Sequence, residues 1–266
     1  MSSKQKYGPW ALITGGSDGV GAAFASQLAE AGVNLILVSR SAEKLNDLAG
    51  KIRSKTGVEV RTLAFDLSQP GALGAIRAVS DDVDVGLVVC NVGAVFGEGS
   101  FLGRELEDVE RSIRINSLGH ATLSHHFGGK MVARGRGGII LVGSMAGNAG
   151  GATMVLYSAG KAFAQIFAEG LWAELKPQGV DVLYVVLGAT DTPKRASLNI
   201  VDAPGQIVAD PADVARDALA NLANGPVFVP PHLAEGFQFF SAAPRREAAE
   251  AMSNMLRGFM PDADAG

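Results

Sequence analysis

A chain of 266 residues, 47% hydrophobic and 19% charged, can bury a full core and has the composition of a globular protein, which excludes a disordered one. Its net charge of -4 offers no broad basic surface for phosphate backbones, so nucleic acid is excluded as a partner. The single cysteine, Cys90, rules out an internal disulfide and a cysteine metal cluster within one chain.

The start, Met1 to Lys6, is polar and lacks the apolar core of a signal peptide, and no apolar run approaches membrane-spanning length. A soluble, cytoplasmic protein with no membrane partner is expected. Short apolar runs then recur along the chain: Ala11 to Ile13, Leu35 to Val38, Val58 to Ala64, Val85 to Val89, Ile139 to Val142 and Val182 to Leu187. Runs of this kind fit strands buried on both faces. Between them lie helical segments. Ala22 to Ala31 places Phe24, Leu28 and Ala31 on one face, and Glu43 to Ile52 groups Leu45, Leu48 and Ile52. A further helix at Asp213 to Leu222 leads to a seventh strand at Val227 to Val229.

Strand, helix, strand in repetition predicts an α/β fold: one doubly wound parallel sheet of about seven strands, with helices on both faces. Residues 1–266 read as a single domain, without repeat, linker or low-complexity segment. The longest irregular stretch, Gly188 to Gln206, follows a strand directly, where a loop of this length usually serves function. It is expected to be the substrate loop. Glu247 to Met260, with Ala248, Met252, Met255 and Leu256, predicts an amphipathic helix suited to a cleft, an interface or plain core packing.

Thr14-Gly15-Gly16-Ser17-Asp18-Gly19-Val20-Gly21 falls between the first strand and the first helix. Its glycines sit where backbone must turn and approach a ligand, and the helix start presents N–H groups suited to a pyrophosphate. At the end of the second strand stands Ser39-Arg40-Ser41, with no acid to hold ribose hydroxyls. Arg40 is placed to pair with a 2'-phosphate, which favours NADP(H) without excluding NAD(H).

The TGxxxGxG spacing of that turn resembles the short-chain dehydrogenase/reductase family, and further motifs follow in the family's order. Asp66-Leu67 resembles the acidic position that receives the adenine amino group. Asn91-Val92-Gly93-Ala94 is similar to the NNAG segment, with Cys90 where the first Asn is usual. Asn116, Ser144, Tyr157 and Lys161 match the four catalytic positions, Tyr and Lys being four residues apart on one helical face. Leu187-Gly188-Ala189-Thr190-Asp191-Thr192 resembles the PGxVxT segment around the nicotinamide, with Leu187 and Thr190 replacing its Pro and Val.

The resemblance runs from Trp10 to Thr192 and implies a Rossmann-type domain that interconverts ketones and secondary alcohols. The cofactor residues it implies are Gly15, Ser17, Asp18, Gly19, Val20, Asp66, Leu67, Asn91, Gly93, Thr190 and Thr192, with Tyr157 and Lys161 at the nicotinamide end. Finer features, Ser17-Asp18-Gly19, Leu37-Val38-Ser39-Arg40-Ser41 with Lys44-Leu45, and Asn91-Val92-Gly93, resemble the branch of 17-beta-hydroxysteroid dehydrogenases and long-chain 3-ketoacyl-CoA reductases. That branch implies a bulky apolar small-molecule substrate, and the family implies a homodimer or homotetramer.

Hydride transfer to a carbonyl carbon creates alkoxide character on oxygen, which must be protonated. A tyrosine titrating near 10 is a poor proton exchanger at neutral pH. An ammonium about 4 Å away at an effective dielectric of 20 contributes roughly 4 kcal/mol, about three pKa units. Lys161 is therefore expected to draw Tyr157 towards neutrality. By resemblance, Lys161 also bonds the nicotinamide ribose, Ser144 the substrate oxygen, and Asn116 a water leading to solvent. Reduction of another polarised bond, such as an imine, uses the same residues, and a catalytically silent cofactor-binding regulator is the third reading. His120, His125 and His126 cluster without a companion carboxylate at ligand spacing, so no metal is expected. Cys90 reads as an inert buried thiol.

Overall fold

The apolar runs become strands because each is covered on both sides. In a computed structural model describing residues 3–94, 96, 100–197 and 205–259, they form β1 (Trp10–Thr14), β2 (Asn34–Ser39), β3 (Val60–Ala64), β4 (Val85–Cys90), β5 (Gly137–Val142), β6 (Val180–Val185) and β7 (Val227–Phe228). All pair in parallel in the order β3-β2-β1-β4-β5-β6-β7. The order reverses between β1 and β4, which opens a crevice at their carboxyl ends where this architecture takes ligands.

Two hydrophobic layers flank the sheet. On one side α2 (Gly19–Glu30), α3 (Ala42–Thr56) and α9 (Pro211–Asn221) cover Ile13, Leu37, Val89 and Val185. On the other, α4 (Ala72–Ser80), α6 (Gly119–Arg134) and α7 (Val155–Leu175) cover Leu12, Val88, Leu141 and Tyr184. The remaining helices are α1 (Ser3–Tyr7), α5 (Leu106–Ile113), α8 (Pro193–Ala196), α10 (Ala234–Ala242) and α11 (Arg245–Phe259). Local chemistry sets their ends: Asp18 and Ser41 cap α2 and α3, and Gly57 closes α3 in the left-handed region that a Cβ disfavours.

The boundaries differ from the sequence reading where polar residues or glycines hide a strand. β6 begins at Val180, ahead of the expected Val182, because Asp181 is accommodated by Lys6 at 2.8 Å, Lys176 at 3.1 Å and the Tyr7 hydroxyl at 3.1 Å. β5 starts at Gly137, where the missing side chain leaves room for Met131. β3 starts at Val60 rather than Val58, β6 ends at Val185 rather than Leu187, and β7 stops at Phe228. Ala31 caps α2 and is exposed, not on the buried face with Phe24 and Leu28; Val20, Ala25 and Ala29 complete that face.

The segment after β6 is not wholly irregular. Thr192 Oγ1 accepts from the Arg195 amide and starts the short helix α8, and Thr190 bridges to Ala209. Residues 198–204 of the expected substrate loop lie outside the described residues. So does Met260, while the predicted C-terminal helix stands as α11, burying Ala248, Met252 and Leu256.

Candidate active site

Thr14, at the end of β1, joins the two strands at the crevice. Its hydroxyl donates to the Val89 carbonyl at 3.3 Å and accepts from the amides of Asn91 at 3.0 Å and Val92 at 3.3 Å. The Asn91 amide side chain donates to the Gly15 carbonyl at 3.3 Å. Gly15 has φ of 65°, and a Cβ there would stand 2.8 Å from Asn91 Nδ2. Asn91 thus ties the glycine-rich turn to β4, a bracing role that the motif alone does not reveal.

A cavity of about 1220 Å³ opens above this junction. It brings together Asp18, Gly19 and Val20 from the turn, Asn91 and Gly93 after β4, Ser144, Tyr157 and Lys161, and Thr190 and Thr192 after β6. Gly15, Ser17, Arg40, Asp66, Leu67 and Asn116 stand outside its lining. Leu67 lines a separate small pocket with Thr14 and His120. Ser17 donates to the Ser39 hydroxyl at 2.7 Å, and the exposed Arg40 makes no hydrogen bond or ion pair among the described residues. The Asp18 carboxylate caps the Gly19 amide at 2.8 Å and pairs with Lys44 at 2.7 Å, so its charge is countered beside Arg40's strand end. Asp66 accepts from Ser68 Oγ at 2.7 Å and Arg111 at 3.3 Å.

The reactive groups come from two elements. Ser144 follows β5 and caps the 3-10 turn Met145–Gly147, its Oγ accepting from the Ala146 amide at 3.2 Å. Tyr157 and Lys161 face the cavity from the first two turns of α7. The Ser144 hydroxyl lies close enough to the Tyr157 phenol to favour its ionised form. Lys161 is buried, donates to the Val142 carbonyl at 2.7 Å, and holds its ammonium 5.6 Å from the centroid of the Tyr157 ring. Gly93 makes this approach feasible, because a Cβ there would come within 2.8 Å of Lys161 Nζ.

The electrostatics correct the simple expectation for this pair. Burial raises the Tyr157 phenol above its ordinary value, and the Ser144 hydroxyl only partly opposes it. Burial pushes the Lys161 ammonium down to about 8. The ammonium commits a short hydrogen bond to a carbonyl and lies over the ring face, and its presence does not overcome the effect of burial on the phenol.

Asn116 is braced by its side chain. It sits in a π-helical turn, Arg114–Leu118, and is fully buried. Its side chain donates to the Ala94 carbonyl at 2.7 Å and the Ser112 carbonyl at 3.0 Å, and accepts from the Ala94 amide at 3.1 Å. These bonds occupy the side-chain amide, which braces the segment after β4 and leaves no side-chain N–H for a water. π turns of this kind gather at functional sites.

Two further features escaped the sequence reading, and a third, the C-terminal helix, takes the cleft position that is one of those expected for it. Tyr184, in β6, contacts the backbone of both Ser144 and Lys161. Thr153, just before α7, has φ of 65°, strained for a β-branched residue, and its carbonyl is held by Arg104 at 2.7 Å. Helix α11 lends Asn254, Met255 and Leu256 to the cavity lining, which also includes Met145 and Met154. None of these carries a motif; each depends on which elements the topology makes neighbours.

The three histidines do not converge: His120 is buried, with its pKa pushed down to about 3 by burial and by the Lys161 cation, His125 is exposed, and His126 pairs with Asp81 at 3.0 Å. Burial raises the Cys90 thiol to about 12. No described helix is long and apolar enough to cross a membrane.

The family model for short chain dehydrogenases matches residues 9–201. The chain is 37% identical over 197 residues to the 7beta-hydroxysteroid dehydrogenase of Collinsella aerofaciens, covering 74% of each. It is 39% identical over 211 residues to the very-long-chain 3-oxoacyl-CoA reductase of Podospora anserina, covering 76% of this chain and 62% of that relative. A solved 7beta-hydroxysteroid dehydrogenase matches with a TM-score of 0.89 at 31% identity, covering 95% of this chain and 99% of that one.

Proposed function

The chain belongs to the short-chain dehydrogenase family of NAD(P)-dependent oxidoreductases, and on that premise we propose that it interconverts a bulky, apolar ketone and its secondary alcohol with NADP(H) as its preferred cofactor. The observation that carries this reading is the convergence of Ser144, Tyr157 and Lys161 on one wall of a largely apolar cavity that extends from the glycine-rich turn. Met145, Met154, Leu187, Phe240 and Met255 make the rest of that wall suited to a large hydrophobic substrate, in keeping with the steroid and long-chain acyl substrates named for the relatives.

The residues present fit a nicotinamide dinucleotide. Gly15 and Gly19 adopt positive φ at the turn, Gly19 also leaving space that the Thr192 methyl would otherwise contest, and Arg40 offers an exposed guanidinium at the β2 end. Asp66, with Leu67, would border the adenine, and Thr190 and Thr192 the carboxamide. When bound, the cofactor supplies or accepts the hydride.

The protein's own residues manage the proton. The Tyr157 phenol is protonated at neutral pH and is a far stronger acid than an alcohol, so a nascent alkoxide would take its proton even though burial raises it. Tyr157 would pass its proton to the nascent alkoxide while Ser144 donates a hydrogen bond to the same oxygen, stabilising the charge where it develops. The Lys161 cation would stabilise the phenolate left behind, since opposite charges attract strongly in a site screened from water. Reduction of an imine uses the same groups and is the second reading.

Self-association is proposed through the neighbouring helices α5 and α7, which leave Leu106, Ile113, Phe163 and Ile166 exposed. Such a stripe is costly to leave in water and is matched by a second copy in a homodimer or homotetramer.

The decisive test is a panel of bulky and small ketones, imines and alcohols followed by nicotinamide absorbance with both cofactors, run beside Tyr157→Phe. The expected result is turnover of bulky ketones by the parent and a loss of about a thousandfold or more in the variant, with NADPH binding retained. Normal ketone reduction by Tyr157→Phe would overturn the assignment.

A further inference from the structure

Past Val142 the β5 chain keeps pairing with β6: the Gly143 amide donates to the Val185 carbonyl at 2.8 Å, and the Met145 amide to the Leu187 carbonyl at 2.8 Å. Alternation leaves the intervening Ser144 amide pointing to the opposite side, away from this ladder. There it meets the Tyr184 hydroxyl at 3.1 Å. The same hydroxyl reaches the Lys161 carbonyl at 3.2 Å and the Ser144 carbonyl at 3.4 Å, so its single proton is shared between the two.

Tyr184 is fully buried, and its ring occupies the space that a side chain at position 143 would fill; a Cβ on Gly143 would stand 1.9 Å from the ring. Gly147 likewise lets the 3-10 turn close on Lys161, where a Cβ would come within 2.9 Å of the Lys161 carbonyl carbon. The strand end and helix α7 are thereby joined at two points. One is the Lys161 ammonium on the Val142 carbonyl, at 2.7 Å; the other is the Tyr184 hydroxyl between the Ser144 and Lys161 backbones.

We propose that Tyr184 is a positioning residue that fixes the separation of Ser144 from α7, and so aligns the Ser144 and Tyr157 hydroxyls on one substrate oxygen. The inference rests on the ketone-reductase reading above. Tyr184 is not among the residues that line the cavity. It acts by satisfying an otherwise unpartnered amide of Ser144 and a carbonyl of Lys161 at once, which pins both backbones to one rigid ring. Small displacements of reacting groups are costly: about 1 Å can remove a hundredfold in rate.

The test compares the parent with Tyr184→Phe, which keeps the ring and removes the three contacts, and with Gly143→Ala, which keeps the hydroxyl but pushes the ring away. Both are expected to lower kcat for a bulky ketone about tenfold or more, with KM and the NADPH Kd within about twofold of the parent. The double variant should be no worse than the poorer single one, because both remove the same alignment. An activity-independent readout is the ultraviolet difference titration of Tyr157, obtained against Tyr157→Phe in each background. Loosening Ser144 should move phenolate formation to higher pH in Tyr184→Phe.

An unchanged kcat and an unchanged titration in Tyr184→Phe would overturn the proposal. So would a loss confined to the amount of folded protein, with normal kcat for the remaining sites. A parent inactive on every ketone while the titration still shifts would sink the functional reading and leave the alignment role standing.

Discussion

The Lys161 ammonium and the Val142 carbonyl are 2.7 Å apart, in a pocket where the lysine is almost wholly buried. One carbonyl is little recompense for a cation withdrawn from water, which is why its pKa falls to about 8 from 10.5.

That depression sets a stability signature. The folded value lies below the unfolded one, so the folded state bears the full cost of the buried cation below about 8, and the cost fades as pH rises towards the unfolded value. The shift corresponds to about 3 kcal/mol, from which the lost Val142 bond removes about 1. Lys161→Met should therefore be more stable than the parent near neutral pH by about 2 kcal/mol, with the advantage shrinking under alkaline conditions, while losing activity. Denaturant melts at several pH values check this; an advantage that does not vary with pH would point to packing instead.

Cofactor choice turns on Arg40. Its guanidinium is exposed, hydrogen-bonds to no described residue and is felt electrostatically by Asp66, and Lys44 holds the nearby Asp18 carboxylate, the one acid of the turn that would repel a second phosphate. Arg40→Ala should lower the ratio of kcat/KM for NADPH to that for NADH by about tenfold to a hundredfold, as expected for one or two charge-assisted hydrogen bonds. An unaltered ratio would remove Arg40 from the assignment.

Assembly is checked on α7. Ile166 is 66% exposed in the single chain, near the stacked rings of Phe163 and Phe167. Ile166→Asp should shift the protein to monomer in light scattering coupled to gel filtration, because a carboxylate placed opposite its own copy is desolvated and repelled. A wild-type profile would send the search for an interface to another face.

What the sequence disclosed and what it hid follow from the reach of each signal. The run Leu35 to Val38 shows as a strand because burial on both faces leaves no polar alternation to confuse it, and all four residues are buried. Asp181 broke the pattern of β6 only because its partners, Lys6, Tyr7 and Lys176, belong to other elements. Tyr157 and Lys161 were legible as one helical face, but their electrostatics were not: the carbonyl that captures the ammonium belongs to β5. Tyr184 reads as one more core residue in Val182 to Leu187. Its role emerges only when strand pairing sets Leu141 beside it and the chain beyond Val142 folds over its ring.

The π turn at Arg114–Leu118 closes with the Gly119 amide on the Arg114 carbonyl, one residue wider than an α-helical turn. A spare residue within a helix rotates everything after it by about 100°. Arg111 before the turn and Arg114 at its start reach the Asp66–Ser68 segment; after it, Leu123, Phe127 and Met131 lie on the sheet, and within it Asn116 is buried. Excising one residue here would restore an ordinary helix but swing those three apolar side chains off their seat. The widened turn therefore behaves as a phase adjuster, letting a single continuous rod serve two faces that no uninterrupted helix of the same length could address together.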